Sequence, residues 1–360
     1  MKILIPAYTV AEWGGLHEYV ISAATTLVKC GHEVTLVLQD GLVAEKGEES
    51  GADVIRVDWS DWGPVAEEIR RGPRYDLIFA QPFHSRKFAL FVNEIMETRL
   101  VAMFHGFHHD FVYTWQHLVD GFLVTTEQIG DLLVDLCRID PERVRVAPNG
   151  VDMDRFAYPL LALDEKTADG RGLVVMASRI DKDKRSQVTA LKLLIEQLSR
   201  HADHIHWDVV VLGDGPERGR VELELEKFIE DYPNISVEMR GWVPADTVPR
   251  LMNRAVFSVS AGRGAMQSLA VGTPCLAAGA RGIAGLQIGS NLEIGVWSNF
   301  ADYPIVGKDI VKLEDNLQQM LIPNSYAEAQ IEGRARILAD RSQQNTAVRM
   351  VEALTTFASR

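Results

Sequence analysis

Short apolar runs alternate with amphipathic stretches from the first residues of this chain. Residues 2–8 (KILIPAY) are apolar, broken by Pro6 and small polar residues, and read as a buried strand. After Gly14 and Gly15, Leu16, Val20, Ala23, Ala24 and Leu27 recur at three- and four-residue spacing, which predicts one helical face closed by Gly31. Residues 33–38 form a second strand, so the segment is a βαβ unit. Its right-handed crossover places loop 8–15, with the turn Trp13-Gly14-Gly15, at the carboxyl edge of a parallel sheet. Further strands are predicted at 54–57, 76–80, 100–104, 121–124 and 144–147. Helices are predicted at 65–71, 88–98 and 127–137, the last N-capped by Thr126, and residues 40–52 are expected to be a loop.

The pattern restarts after a polar connection at 158–172. A strand beginning at Gly172 leads into a basic loop and a helix over 187–200. Strands follow around 207–212, 235–244, 255–262 and 274–279, with short helices at 246–252 and 266–271. Residues 279–291 read as a glycine-laden loop and 292–297 as a short strand. Helices are expected at 314–321, 326–338 and 342–357, the last long enough to cross back onto the first domain. The expected division is 1–157, 158–340 and a returning helix at 341–360. Strand–helix alternation at this pace predicts two doubly wound α/β domains.

Composition narrows the function. The 360 residues suffice for two such domains, and 47% hydrophobic with 24% charged content is ordinary for a soluble enzyme. No run of about 18 apolar residues is present, so no membrane span is expected. The N-terminus enters a strand without signal-peptide features, and three scattered cysteines suit a reducing cytosol, giving a cytoplasmic expectation. A net charge of −13 disfavours nucleic acid as a partner. An acidic protein that binds an anion must use a few placed cations.

Arg179 and Lys184 are such cations, just past a strand end and before a helix N-terminus. They suit a diphosphate without metal, or equally a solvated turn paired with Asp181 and Asp183. Gly14 with Gly15, and Gly262 with Gly264, stand before helices, where backbone N–H groups can approach a phosphate; tight turns without ligand fit the same residues. The first pair lacks the dinucleotide spacing of Gly-x-Gly-x-x-Gly. His105 follows a strand and can donate to a sugar hydroxyl or phosphoryl oxygen. Phe107, Phe111, Tyr113 and Trp115 can stack on an acceptor or pack beneath a loop. His105, His108, His109 and His117 lack a standard zinc spacing, so no metal is expected.

In this order, EWGGLHEYV, His105-Gly106, APNGVD-x-x-RF, SRID-x-x-K, VVLGDGPE, RGWVP and AVGTPCLA resemble the GT-B glycosyltransferases, specifically the large retaining family numbered four. The resemblance covers essentially the whole chain. It implies two Rossmann-like domains facing across a cleft, a nucleotide diphosphate sugar held mainly by the second, a carbohydrate or glycoconjugate acceptor held mainly by the first, and no cofactor or metal. It implies catalytic roles for His105, Arg179 and Lys184. Gly14, Gly15, Gly213, Gly215, Gly262, Arg263, Gly264 and Gln267 would join Arg179 and Lys184 at the donor, and His17, Phe107, His108 and Trp115 would meet the acceptor.

One stretch departs from the family pattern. The usual Glu-Gly-Phe-Gly and a second downstream glutamate are replaced by Ala261-Gly262-Arg263-Gly264 and Gln267. A neutral Gln267 bonds a ribose hydroxyl about half as strongly as a carboxylate. The sequence therefore supports a glycosyltransferase, with a noncatalytic GT-B subunit or sugar-binding protein as the alternative and an epimerase of the same fold as a third. It leaves the base, sugar, acceptor and oligomeric state open.

Overall fold

The computed structural model describes residues 1–8, 14–244 and 246–359. Glu12 and Trp13, part of the expected glycine turn, lie outside the described residues. Two units emerge: Met1–Asn149 with Gln344–Arg360, and Gly150–Gln343. The first boundary falls before the expected 157/158, and the second just after the expected 340/341.

In the first unit the elements are β1 (Lys2–Pro6), α1 (Gly15–Lys29), β2 (Glu33–Leu38), α2 (Leu42–Glu49), β3 (Asp53–Arg56), α3 (Gly63–Arg71), β4 (Leu77–Ala80), α4 (His84–Met96), β5 (Arg99–Phe104), β6 (Gly121–Val124), α5 (Glu127–Asp131) and β7 (Val144–Val146). The sheet order is β3-β2-β1-β4-β5-β6-β7, with every neighbouring pair parallel. Ile3, Leu36, Leu77 and Val101 are fully buried, as expected of strands covered on both faces. Strand order reverses between β1 and β4, which opens a crevice at their carboxyl ends.

Two local expectations change here. Residues 40–52 contain α2 rather than a plain loop. Gly47 sits where a Cβ would lie 3.0 Å from both Leu38 and Val54, so a packing contact invisible in local composition fixes this helix on the sheet. The helix expected over 127–137 keeps its Thr126 cap, whose side chain accepts from the Ile129 N–H, but α-geometry gives way to a π-turn at Leu132–Leu136.

The second unit comprises α6 (Leu163–Lys166), β8 (Arg171–Ala177), α7 (Arg185–His201), β9 (His206–Leu212), α8 (Arg218–Ile229), β10 (Ile235–Gly241), α9 (Thr247–Arg254), β11 (Phe257–Ser260), α10 (Gly262–Ala270), β12 (Cys275–Gly279), β13 (Gly282–Leu286), α11 (Gly289–Trp297), α12 (Leu313–Met320) and α13 (Pro323–Arg341). Its sheet runs β10-β9-β8-β11-β12-β13, parallel except for the β12–β13 pair. The reversal lies between β8 and β11. Trp207 and Tyr326 anchor the core, and the Tyr326 hydroxyl donates to the Val256 carbonyl at 2.8 Å.

Beyond Gly279 the expectations need correction. The glycine-laden loop contains β13, and the stretch expected as a strand at 292–297 is the end of α11. Gly295 explains the helix: a Cβ there would overlap the Gln287 side chain, whose amide donates to the Ala284 and Gly285 carbonyls at 3.1 and 2.9 Å.

The chain closes with α14 (Gln343–Ala358), whose Met350, Ala353, Leu354 and Phe357 join the core of the first unit. Phe357 lies over Gly121 of β6, where a Cβ would sit 2.6 Å from the ring's Cδ1. Each sheet thus has its own topological switch point, between β1 and β4 in the first unit and between β8 and β11 in the second.

Candidate functional site

In the first unit the crevice is a pocket of about 840 Å³ whose wall includes Tyr8, Leu16, Pro82, Phe83, His105 and His108. His105 leaves the end of β5 as the topology requires. Its Nε2 lies 2.9 Å from Gln81 Oε1, and its ring meets Tyr19 edge-on at 4.6 Å. Although part of the ring meets solvent, burial first, and the neighbouring His108 second, pull its pKa down to about 3. At neutral pH it is an uncharged imidazole, suited to hydrogen-bonding a hydroxyl rather than to neutralising phosphate.

The other residues of this group separate. His108 lines the pocket, with its ring 5.1 Å from that of Phe83. Trp115 is buried beneath Phe104, with ring centroids 6.1 Å apart, and carries the Arg86 guanidinium 4.3 Å above it. His17 is buried on α1, and neither it nor Phe107 lines the pocket. Sequence reading did not single out Arg86, which is buried and ion-paired with Asp110 in the pocket wall. Burial lowers its pKa to about 10, still charged at neutral pH. Gly14 and Gly15 have open space where a Cβ would stand, and the Gly14 carbonyl accepts from Glu18 N–H at 3.1 Å at the start of α1.

In the second unit the loops after β8 and β11 carry the expected cations and glycines. Arg179 is exposed, 3.8 Å from Asp181 and 3.5 Å from Asp183. Such exposed pairs hold a side chain weakly, so an incoming anion can displace them. Lys184 is half-buried, with Nζ 3.1 Å from Asp302 and 3.7 Å from Asp183. α7 continues a 3-10 turn at Lys182–Lys184 whose first N–H donates to the Asp181 carboxylate at 2.7 Å, whereas α10 has no side-chain cap and its Gly262 N–H donates to the Asn299 carbonyl at 3.2 Å.

Gly213 and Gly215 have a different use from the one their resemblance suggested. At φ 120° and 159°, each lies against main chain of the Arg179 loop. A Cβ on Gly213 would overlap the Ser178 carbonyl, and one on Gly215 the Ile180 carbonyl. The Ser178 N–H donates to the Leu212 carbonyl at 3.0 Å, and the Ile180 N–H to the Asp214 carbonyl at 2.9 Å. These glycines therefore clamp the loop that bears Arg179.

Asp302 was not legible in the sequence as a site residue. It follows Asn299, Phe300 and Ala301, three consecutive non-glycine residues at φ 52°, 56° and 69°. Such backbone is costly and persists where surrounding structure imposes it. The Ser298 Oγ accepts from the Ala301 N–H at 3.1 Å, and Tyr303 N–H donates to the Ser298 carbonyl at 3.0 Å. The result places the Asp302 carboxylate on Lys184 and beside Gly262, where a Cβ would be 2.5 Å from Oδ2. Gly264 abuts the Ser260 side chain, while Arg263 and Gln267 are half-buried on α10. Among the described residues, no group of three or more His, Cys, Asp or Glu is placed to hold a metal ion.

Comparison with known proteins agrees with this geometry. Residues 13–155 match the model of Glycosyltransferase Family 4. A glycosyltransferase from Rickettsia africae ESF-5 shares the fold at 15% identity and a TM-score of 0.74, over 99% of this chain and 98% of that one. Anabaena HepE, solved with UDP and glucose, shares it at 17% identity and 0.69, over 99% and 100%. Sucrose-phosphate synthase from Thermosynechococcus elongatus shares it at 16% identity and 0.71, over the full length of both. No curated protein matches the sequence. The chain has the GT-B fold, and its first unit carries the match to the family-four model. Among the described residues, no helix is long and apolar enough to cross a membrane.

Proposed function

We propose that this protein transfers a sugar from a nucleotide diphosphate sugar to a hydroxyl of a carbohydrate or glycoconjugate acceptor, with retention of anomeric configuration and without a metal. The observation that carries the reading is the second unit's switch-point edge, where the loop bearing Arg179 and Lys184 is clamped by glycine and α10 starts without a side-chain cap. HepE binding UDP on the same fold supports a diphosphate there. As the bond between the sugar's anomeric carbon and the diphosphate oxygen breaks, the electron pair leaves with the diphosphate. Preorganised cations and N–H dipoles stabilise that charge as it develops. The acceptor oxygen bonds to the anomeric carbon, and its proton passes to an oxygen of the departing phosphate. No side-chain nucleophile is required.

The test is turnover of a panel of nucleotide sugars in the presence of EDTA, with the product anomer read by NMR. Arg179→Ala should lower kcat by about 10²–10³. Its side chain is more than half exposed, with only weak partners, so the fold should persist. A wild-type protein that neither binds nor consumes any donor overturns the proposal.

A second reading, a noncatalytic nucleotide-binding subunit, is favoured by the replacement of carboxylates at Ala261 and Gln267 and by the Asp302 carboxylate already held on Lys184. Tight UDP or GDP binding by calorimetry, with no turnover of any donor, would select it.

A further inference from the structure

Four rings are layered behind the mouth of the first-unit pocket. Trp115 lies parallel to Phe104 at 6.1 Å and 12°, Phe104 faces His108 at 5.5 Å and 35°, and His108 stacks on Phe83 at 5.1 Å and 27°. Trp115 and Phe104 are buried and His108 is half-buried, whereas Phe83 is 53% exposed. Across the same pocket wall Phe111 is 61% exposed.

Neither phenylalanine is placed cheaply. Phe83 has φ 59° and ψ −113°, and Phe111 follows Asp110 with both at positive φ, 50° and 42°. Bulky residues avoid this region unless the surroundings impose it, and such strain gathers at ligand sites. Here the strained backbone holds two large apolar rings toward solvent, the reverse of what core packing selects.

Several polar groups of the wall are already engaged with one another, while Tyr8, His84 and Lys87 also line it. Arg86 and Asp110 satisfy each other's charge, and Arg86 is backed by Trp115. His105 Nε2 is engaged with Gln81. His108 Nδ1 is buried and has no hydrogen-bond partner among the described residues. Burial, then repulsion from His109 and Arg86, lowers the His108 pKa, keeping the ring in the neutral form that can exchange one hydrogen bond with a hydroxyl.

We infer that the acceptor carries an aromatic ring, which adds the next layer to the ring stack on Phe83 and lies against Phe111. This rests on the proposed transfer reaction for its meaning, and it names the acceptor's chemical class. The pocket's volume of about 840 Å³ lies in the range of small-molecule sites, about 300–1,000 Å³, and holds a ring together with the sugar it bears.

The probes are 4-nitrophenyl β-D-glucopyranoside, methyl β-D-glucopyranoside and octyl β-D-glucopyranoside, with binding to the full chain measured by saturation-transfer NMR and calorimetry. The aryl glycoside is expected to bind about tenfold or more tightly than the methyl glycoside, and its ring protons should receive the strongest saturation. Phe83→Leu keeps the apolar volume but removes the ring face, and should erase most of that advantage; Phe111→Leu provides an independent second variant. Thermal unfolding shows whether either variant still folds. Equal binding of methyl and aryl glycosides overturns the inference. So does an octyl glycoside that outcompetes the aryl one, which would mean an alkyl-chain acceptor, or an aryl preference untouched in both folded variants. Binding of a panel of nucleoside diphosphates by the wild-type chain is measured separately: absence of binding to any of them defeats the transfer reading, while the ring preference is decided by the glycosides alone.

Discussion

Replacing Gly213 by alanine separates two uses of a glycine beside a phosphate-binding loop. If the glycine admits a ligand, alanine should spare stability and weaken nucleotide binding. If it clamps the Arg179 loop, stability must fall first. The residue stands at φ 120°, where a side chain is strained by about 1–3 kcal/mol. The new Cβ would also overlap the Ser178 carbonyl, with the carbonyl carbon only 2.9 Å away. That carbonyl has little room to retreat, because the Ser178 and Ile180 N–H groups are both bonded to the strand carrying Gly213 and its continuation. Overpacking of this kind adds about 1–3 kcal/mol, giving about 2–6 kcal/mol in all. For a unit of about 150–250 residues, at 2–4 °C per kcal/mol, Tm should fall by about 4–24 °C. Gly170→Ala is the control. It lies in the same unit at φ 69°, with nothing within 4 Å of a Cβ, so it carries only the backbone cost of about 1 kcal/mol. Calorimetric unfolding of the two variants with and without UDP decides the matter. Equal Tm losses, or a Gly213→Ala protein of unchanged stability that no longer binds UDP, would refute the clamp.

Two further outcomes follow from buried or paired charges. Lys166 is buried, its ammonium donating to the Ala255 carbonyl at 2.6 Å and to Thr273 at 3.0 Å, and burial first, then Arg334, brings its pKa from 10.5 down to about 7. Between pH 7 and about 10 the unfolded chain binds this proton and the folded chain has released it, so stability rises with pH across that window. The slope approaches about 1.4 kcal/mol per pH unit, and below pH 7 this contribution is flat. Urea unfolding at pH 7, 8 and 9 should show that extra slope in wild type and not in Lys166→Met; parallel slopes would contradict it. Asp302→Asn removes a carboxylate 3.1 Å from the Lys184 ammonium. A charge about 6 Å from a bound diphosphate in a partly solvated crevice costs about 0.7–1.4 kcal/mol, so UDP should bind roughly three- to tenfold tighter by calorimetry. Weaker binding would mean that Asp302 holds Lys184 in position instead.

The sheets were written in local pattern. Fully buried parallel strands give runs such as residues 77–80 and 207–212 that need no knowledge of their neighbours, and amphipathic α1 shows its face by spacing alone. The placement of His105, Arg179 and Lys184 just past strand ends was equally legible, because such a position in a parallel sheet lies at its carboxyl edge whatever the details of packing. What failed locally failed where a glycine packs against a neighbouring element. Gly47 against Leu38 and Val54 made a helix of an expected loop, and Gly295 against Gln287 did the same for an expected strand.

The roles within the sites belong to tertiary structure. Gly213 and Gly215 read in sequence as residues that meet a ligand, but their space is already taken by the Ser178 and Ile180 carbonyls. Asp302 reaches Lys184 from 118 residues away through a left-handed turn without glycine, which no composition signals. Trp115 and Phe111 look alike as aromatic candidates, yet one is buried under Phe104 and the other stands exposed in the pocket wall. Periodicity records how each residue meets its own helix or strand. Which atoms then fill a given gap depends on contacts between segments far apart in the chain, and only the folded arrangement sets those.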